Sequence, residues 1–292
     1  MTVQAMRAAV VAIRAGVFDD SGEVDVARAC QAPSAAVAGV ARRPGVGAIP
    51  WAGADTGGAV VLAVAGHAGA GASTVALAVA EGLAETRRVL LVDYAEPARS
   101  GLAVAAAIEL GTDGNRWRRG RRGRLEVLRL ARDPVDGELP PLPGTDDTDR
   151  AVVVDAGWSL TGALLAPPRS LVRGSTVVVT RLTVPAVRQT ERVLAAIDGD
   201  AAVAAVGPAR WPRPVEASCG PRLRELRSRG QVVPVPVDRR LQLAGLTGDP
   251  LPKSVAAAGR SLAALLVPAG PRQPRQLRAA QRSRTGPAGT SR

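Results

Sequence analysis

Lysine is almost missing from this chain: Lys253 stands alone against 37 arginines. Histidine is equally scarce, and a single residue, His67, excludes any site built from several imidazoles. The two cysteines, Cys30 and Cys219, are isolated in sequence, which argues against a disulfide framework or a thiolate metal centre. One Phe and one Tyr leave the core to Ala, Val and Leu, a thin-walled composition that suits a parallel sheet covered by alanine-faced helices. No apolar run approaches the ~18 residues a membrane span needs. The first residues lack a charged leader followed by a sustained apolar stretch, so no secretory signal is expected. These absences predict a cytoplasmic protein that meets a membrane only peripherally, through a partner.

The net charge of +12 is localised. Six arginines (Arg116, Arg118, Arg119, Arg121, Arg122 and Arg124) fall in "NRWRRGRRGR", and six more follow Gly270. Neither stretch holds an acid, and together they equal the whole excess. The remainder of the chain is close to neutral.

From Val60 onward, apolar runs alternate with helical patterns. Strands are predicted at Val60–Ala65, Val89–Asp93, Leu125–Leu130, Ala151–Asp155, Thr176–Thr180, Ala202–Val206 and Val232–Val235. Helices are predicted at Thr74–Glu85, Arg99–Glu109, Gly162–Val172, Val184–Ile197, Pro221–Arg229, Arg239–Leu246 and Lys253–Val267. Short apolar strands separated by helices imply an α/β fold, a mostly parallel sheet with helices on both faces. Three parts are expected: an N-terminal segment 1–58 whose fold the pattern leaves open, a core domain 59–268, and a disordered basic tail 269–292. Residues 132–149, rich in Pro, Gly and Asp, read as a surface loop.

"GHAGAGAST", residues 66–74, sits between the first strand and its helix. Gly66, Gly69 and Gly71 allow a tight turn that aims backbone N–H groups at an anion, and the helix start at Ser73-Thr74 adds donors and dipole. A turn of small residues between a strand and a helix can equally be structural. The loop, Gly66, His67, Gly69, Ala70, Gly71, Ala72, Ser73 and Thr74, is the candidate phosphate cradle.

The wider order of motifs is specific. "HAGAGAST", "RRVLLVDYAEPARSGLA", "AVVVDAG", "TVVVTRLTVPAVRQTERVL" and "VVPVPVDRRLQLAGLTGDPLPKSVAAAGRSLAALL" arrive in the order of one family. Over Val60 to Val267 the chain resembles the MinD/ParA-like P-loop ATPases, and within them the divergent CpaE/TadZ-like branch with its septum-site-determining-like members. The resemblance implies a nucleotide site for ATP or ADP with Mg²⁺. It also implies protein partners in a pilus, secretion, conjugation or division machine, and a homodimer.

At the catalytic positions the match is partial. The family loop reads K-G-G-x-G-K-[ST]-T; here His67 takes the place of the signature lysine and Ala72 that of the second. Ser73 matches the hydroxyl on Mg²⁺, Asp155 the Walker B carboxylate, and Asp93 the first carboxylate after the second strand. The second such carboxylate falls on Ala95, with Glu96 adjacent. The adenine-reading asparagine is replaced within "VGPARW", Val206 to Trp211. As a purely structural alternative, Asp93 and Asp155 are strand-end carboxylates capping the next turn, and His67 is a solvated loop residue.

Losing one charge-assisted contact forfeits ~1.5–3 kcal/mol, roughly ten- to a hundredfold in affinity. Phosphoryl transfer depends on positioning and charge neutralisation, so the rate should suffer more than binding. Weak binding with little or no turnover is expected, from a positioning or assembly factor. The alternative is an active ParA-type ATPase that binds DNA without sequence preference. Trp117 among the arginines at 116–124 suits phosphate backbones, an acidic protein face or an anionic membrane; a solvated charged loop is the plain alternative.

Overall fold

The computed structural model describes residues 58–113, 116–133, 150–164, 174–197 and 201–267. The expectations for segment 1–58 (Gly58 apart), for Cys30, for most of loop 132–149, for most of the helix predicted at Gly162–Val172 and for the tail lie outside those residues.

All seven predicted strands form, within a nine-stranded sheet. In chain order they are β1 (Val60–Ala65), β2 (Val89–Asp93), β3 (Ile108–Asp113), β4 (Trp117–Arg122), β5 (Leu125–Leu130), β6 (Ala151–Asp155), β7 (Ser175–Arg181), β8 (Ala201–Val206) and β9 (Val232–Val235). Their spatial order is β3-β4-β5-β2-β6-β1-β7-β8-β9, and β5 through β9 run parallel. The helices are α1 (Ala72–Ala84), α2 (Gly157–Leu164), α3 (Val184–Ala196), α4 (Arg213–Ala217), α5 (Pro221–Ser228), α6 (Arg239–Ala244) and α7 (Lys253–Leu266). Among the described residues, no helix is long and apolar enough to cross a membrane.

Side-chain alternation along the strands sorts the core. Val61, Ala63, Leu91, Val127, Val153, Val177 and Val179 face α1 and α7, forming one apolar cluster with Val75, Leu77, Val79, Leu262 and Leu266. The opposite face receives α3, where the buried Thr190 hydroxyl donates to Thr180 Oγ1 on β7 at 2.8 Å. Small residues decide how closely the layers approach. A Cβ on Gly259 of α7 would lie 2.2 Å from the Ala78 carbonyl oxygen, so α7 can lie against α1 only with glycine there. The few aromatics expected from composition are thus offset by close backbone packing.

Two expectations are overturned at the β3 edge. The alanine-rich stretch Arg99–Glu109 is not a helix: Pro97–Arg99 form one 3₁₀ turn, and Ile108 begins strand β3. The arginine run is not a loop but strand β4, antiparallel to both β3 and β5. Helix propensity separates ordinary residues by at most about 0.7 kcal/mol each. Against that, the hairpin buries Trp117 to 4 % exposure, its ring edge-on to Tyr94 at 5.2 Å. Burying one large apolar side chain contributes ~1.5–3 kcal/mol, and such a ring pair about 0.5–1.5 more.

Burial then splits the arginines. Arg122 points inward, pairing with Glu81 of α1 at 2.5 Å and donating to the carbonyls of Ala105, Thr247 and Asp249. Arg129 on β5 is likewise buried; it grips Glu109 with both terminal contacts at 2.6 Å and donates to the Ala103 carbonyl. These two guanidiniums fasten the hairpin to the rest of the domain. Arg116, Arg118, Arg119, Arg121 and Arg124 remain exposed.

Candidate functional site

The parallel strands share one C-terminal edge, and the loop that follows β1 lies there beside the ends of β2 and β6. Brandishing loops at that edge is the usual way an open α/β sheet makes a ligand crevice. Here it holds a cleft of about 320 Å³ lined by Gly69–Thr74, Ala95, Glu96, Arg99, Gly101, Asp155, Gly157, Trp158, Gly245 and Leu246 among others.

The loop is built by its glycines. The Gly66 N–H donates to the Val179 carbonyl at 2.8 Å, and a Cβ there would lie 2.3 Å from Thr190 Oγ1. Gly71 precedes α1 with φ 97°, a left-handed conformation that disfavours any side chain. It offers no side-chain cap, and the first turn of α1 holds no acid. The first N–H groups of α1, at Ala72, Ser73 and Thr74, are therefore left to an external acceptor, with the helix dipole behind them.

His67 does not enter the cleft. Its Nε2 accepts the Arg181 N–H at 3.1 Å, and its Nδ1 lies 2.8 Å from the Ala68 carbonyl oxygen, to which it donates. Only a neutral ring can do both. Arg181 in turn donates from Nε to the Gly69 carbonyl at 3.0 Å. The histidine, a candidate cradle residue in sequence, stays partly exposed and ties the loop to the end of β7. Ala72 does line the cleft and brings no charge to it.

Asp93 and Asp155 are register partners on the neighbouring strands β2 and β6, both fully buried. Burial pushes the Asp93 carboxyl up to about 7, and the nearby Asp155 charge pushes the same way. Opposing this, the Ser100 hydroxyl donates to Oδ2 at 2.5 Å and the Ala95 N–H to Oδ1 at 2.8 Å. Asp155 is also raised by burial, with Ser73 and the Gly157 N–H drawing it back in part. The Gly157 contact is a hydrogen bond of 3.1 Å to Oδ1. Ser73 is near enough to favour the charge, yet Oδ2 of Asp155 is buried with no hydrogen-bond partner.

That orphaned oxygen beside a serine hydroxyl is what a hard cation or its water would satisfy, so the residues fit Mg²⁺ at the positions Ser73 and Asp155. Among the described residues no cluster of three or more His, Cys, Asp or Glu could hold a metal by itself. A Mg²⁺ ion here would complete its shell with phosphate oxygens and water, as is usual for that ion.

No protein-family model matches the sequence, and no curated protein does. Solved structures do match. The likeness is to MinD and ParA proteins. A MinC:MinD cell division complex from Aquifex aeolicus matches at 15% identity, over 73% of this chain and 98% of that one, with a TM-score of 0.45. A ParA family ATPase from Chlorobium tepidum matches at 14%, over 70% and 98%, with a TM-score of 0.42. The cell division ATPase MinD of Pyrococcus furiosus matches at 17%, over 70% and 96%, with a TM-score of 0.43. At such identities the likeness is one of fold.

Of the residues singled out in the sequence, Gly69 to Thr74 and Asp155 line the cleft, with Asp93 beside them on the next strand, whereas Gly66 and His67 do not line it. The arginines at 116–124 belong elsewhere, on the β4 edge. Sequence reasoning missed Ser100, which holds Asp93, and Gly101, whose backbone seats Ser73: a Cβ there would lie 2.6 Å from the Ser73 Oγ. It also missed Trp158, 49 % exposed at the cleft. Its place three residues after Asp155 was a usable signal. "VGPARW" forms a separate feature, with the Arg227 guanidinium 4.4 Å above the Trp211 ring.

Proposed function

We propose that this protein binds a nucleoside phosphate with Mg²⁺ in the β1–α1 cleft and acts as a non-catalytic or weakly catalytic MinD/ParA-like positioning factor. The observation that supports this most is the combination at one cleft: uncapped α1 N–H donors, the Ser73 hydroxyl and the orphaned Oδ2 of Asp155, with alanine at position 72. Backbone donors hold the phosphates. Ser73 and Asp155 hold Mg²⁺, which supplies charge neutralisation at the phosphates. Ala95 places no carboxylate where an attacking water would be oriented, and its own N–H is committed to Asp93. Binding without efficient turnover follows. The sequence resemblance makes the partner a component of a pilus, secretion, conjugation or septum machine, and the CpaE/TadZ-like branch the nearest functional type. Titration with Mg²⁺-ATP and Mg²⁺-ADP, run beside a phosphate-release assay, tests this reading: it requires saturable binding and no turnover above background.

One feature favours the second reading, a DNA-partition ATPase. Arg119, Arg121, Arg124 and Arg150 gather round a second cleft of about 450 Å³, with Glu126 its one acid. Arg119 and Arg150 both pair with Glu126 at 2.6 Å, holding that carboxyl below its usual range against the opposing effect of burial. Arg121 and Arg124 have no ion-pair partner among the described residues. Replacing Arg118, Arg121 and Arg124 by Ala tests it. Lost duplex-DNA binding with a flattened salt slope supports the DNA reading. Lost binding to one acidic protein surface alone supports the assembly factor.

A further inference from the structure

We infer that Arg99 supplies the phosphate-gripping cation that the loop lacks, making it a nucleotide-binding residue outside the loop motif; this rests on the nucleotide reading above. Three observations carry it. First, among the described residues that border the β1–α1 cleft, Arg99 is the one cation; the charged residues sharing that border are Glu96 and Asp155, both acids. A polyphosphate entering such a cleft meets net negative charge unless Arg99 and Mg²⁺ offset it. Second, Arg99 ends the 3₁₀ turn Pro97–Arg99, and that turn is fixed by its surroundings. The Arg99 N–H donates to the Glu96 carbonyl at 2.8 Å, and the next residue, Ser100, is anchored on the buried Asp93. The base of the side chain is therefore placed, while its head is free to move.

Third, the head is lightly held. Its side chain is 72 % exposed, and its ion pair is with Glu96 three residues away, at 3.3 Å. An exposed i,i+3 pair of this kind is worth little and is readily exchanged for a phosphate, to which a guanidinium can donate two parallel hydrogen bonds. The other candidates are already committed. His67 is engaged by Arg181, and Arg181 by the loop carbonyl of Gly69. The ligand class is a nucleoside di- or triphosphate with Mg²⁺, with Arg99 on the phosphates distal to the sugar.

The test is a set of binding titrations on the full chain at fixed ionic strength with Mg²⁺-ATP, Mg²⁺-ADP and AMP. Wild type, Arg99→Ala, Arg99→Lys and Glu96→Gln are compared. Arg99→Ala is expected to weaken ATP binding ten- to a hundredfold while AMP changes less than threefold, and Arg99→Lys, which keeps the charge but not the two parallel hydrogen bonds, to recover only part of the loss. Glu96→Gln should tighten ATP several-fold, and that gain should shrink in the Arg99→Ala background. An unchanged ATP-to-AMP affinity ratio in Arg99→Ala overturns the inference and leaves the nucleotide reading standing. A wild type that binds none of the three removes both.

Discussion

Replacing Asp93 by Asn should stabilise the protein, and only above a certain pH. The carboxyl is fully buried, and its pKa sits at about 7 instead of 3.8, from burial first and from Asp155 second. Because the folded state holds this proton more tightly than the unfolded chain, the contribution of Asp93 to wild-type stability is greatest below about pH 4. It declines as the pH rises towards 7 and levels off above. A gap of about three units at ~1.4 kcal/mol each sets a ceiling of roughly 4 kcal/mol for the effect. Asn keeps the Ala95 contact through its carbonyl oxygen and can donate to Ser100 Oγ where Asp accepted. Its gain over wild type should therefore be near zero at pH 4.5 and reach about 2–4 kcal/mol at pH 8. Urea unfolding followed by tryptophan fluorescence at both pH values measures it. A variant equally or more destabilised at pH 8 than at pH 4.5 would refute the argument. It would show that the carboxylate is stabilised by its site as an anion.

Two more predictions concern the loop and the hairpin. Ala72→Lys should tighten Mg²⁺-ATP binding about tenfold or more in equilibrium titration, because it restores a cation to a cradle that already has its donors. The double variant with His67→Lys should gain less than that single change, since it also breaks the tie to Arg181; equal or larger gains would contradict the role given to His67. Arg122→Ala should cost about 3–5 kcal/mol in urea unfolding, by leaving Glu81 and three carbonyls without their donor. Arg118→Ala, exposed near the start of the same strand, should fall within about 0.5 kcal/mol of wild type.

The parallel core was legible because most of its strands are short runs dominated by Val, Leu and Ala, which suit burial between two helical layers. The candidate loop was legible for a related reason: Gly66, Gly69 and Gly71 are needed where the chain turns tightly between a strand and a helix. What escaped was the edge hairpin. Its strand β4 reads WRRGRR, a pattern with arginine on both faces, and the inward arginine is paid for by acids and carbonyls far away in sequence. Glu81 and Asp249 cannot be linked to Arg122 by any local rule. The helix expected at Arg99–Glu109 failed for the same cause: alanine propensity was outweighed by Trp117 packing on Tyr94. Within the site, the loop positions were found by spacing. The surroundings (Ser100 on Asp93, Gly101 against Ser73, Arg99 at the rim) depend on how the turn after β2 folds back over α1.

The central claim is a nucleotide cleft that binds without efficient turnover, and one paired measurement bears on it most directly. Mg²⁺-ATP is titrated into the full chain, and phosphate release is followed on the same sample, with Asp155→Ala alongside. The account predicts saturable, Mg²⁺-dependent binding that Asp155→Ala weakens, with phosphate release at background in both proteins. Robust Mg²⁺-dependent release that disappears in Asp155→Ala would contradict it, as would a wild type that binds no nucleotide.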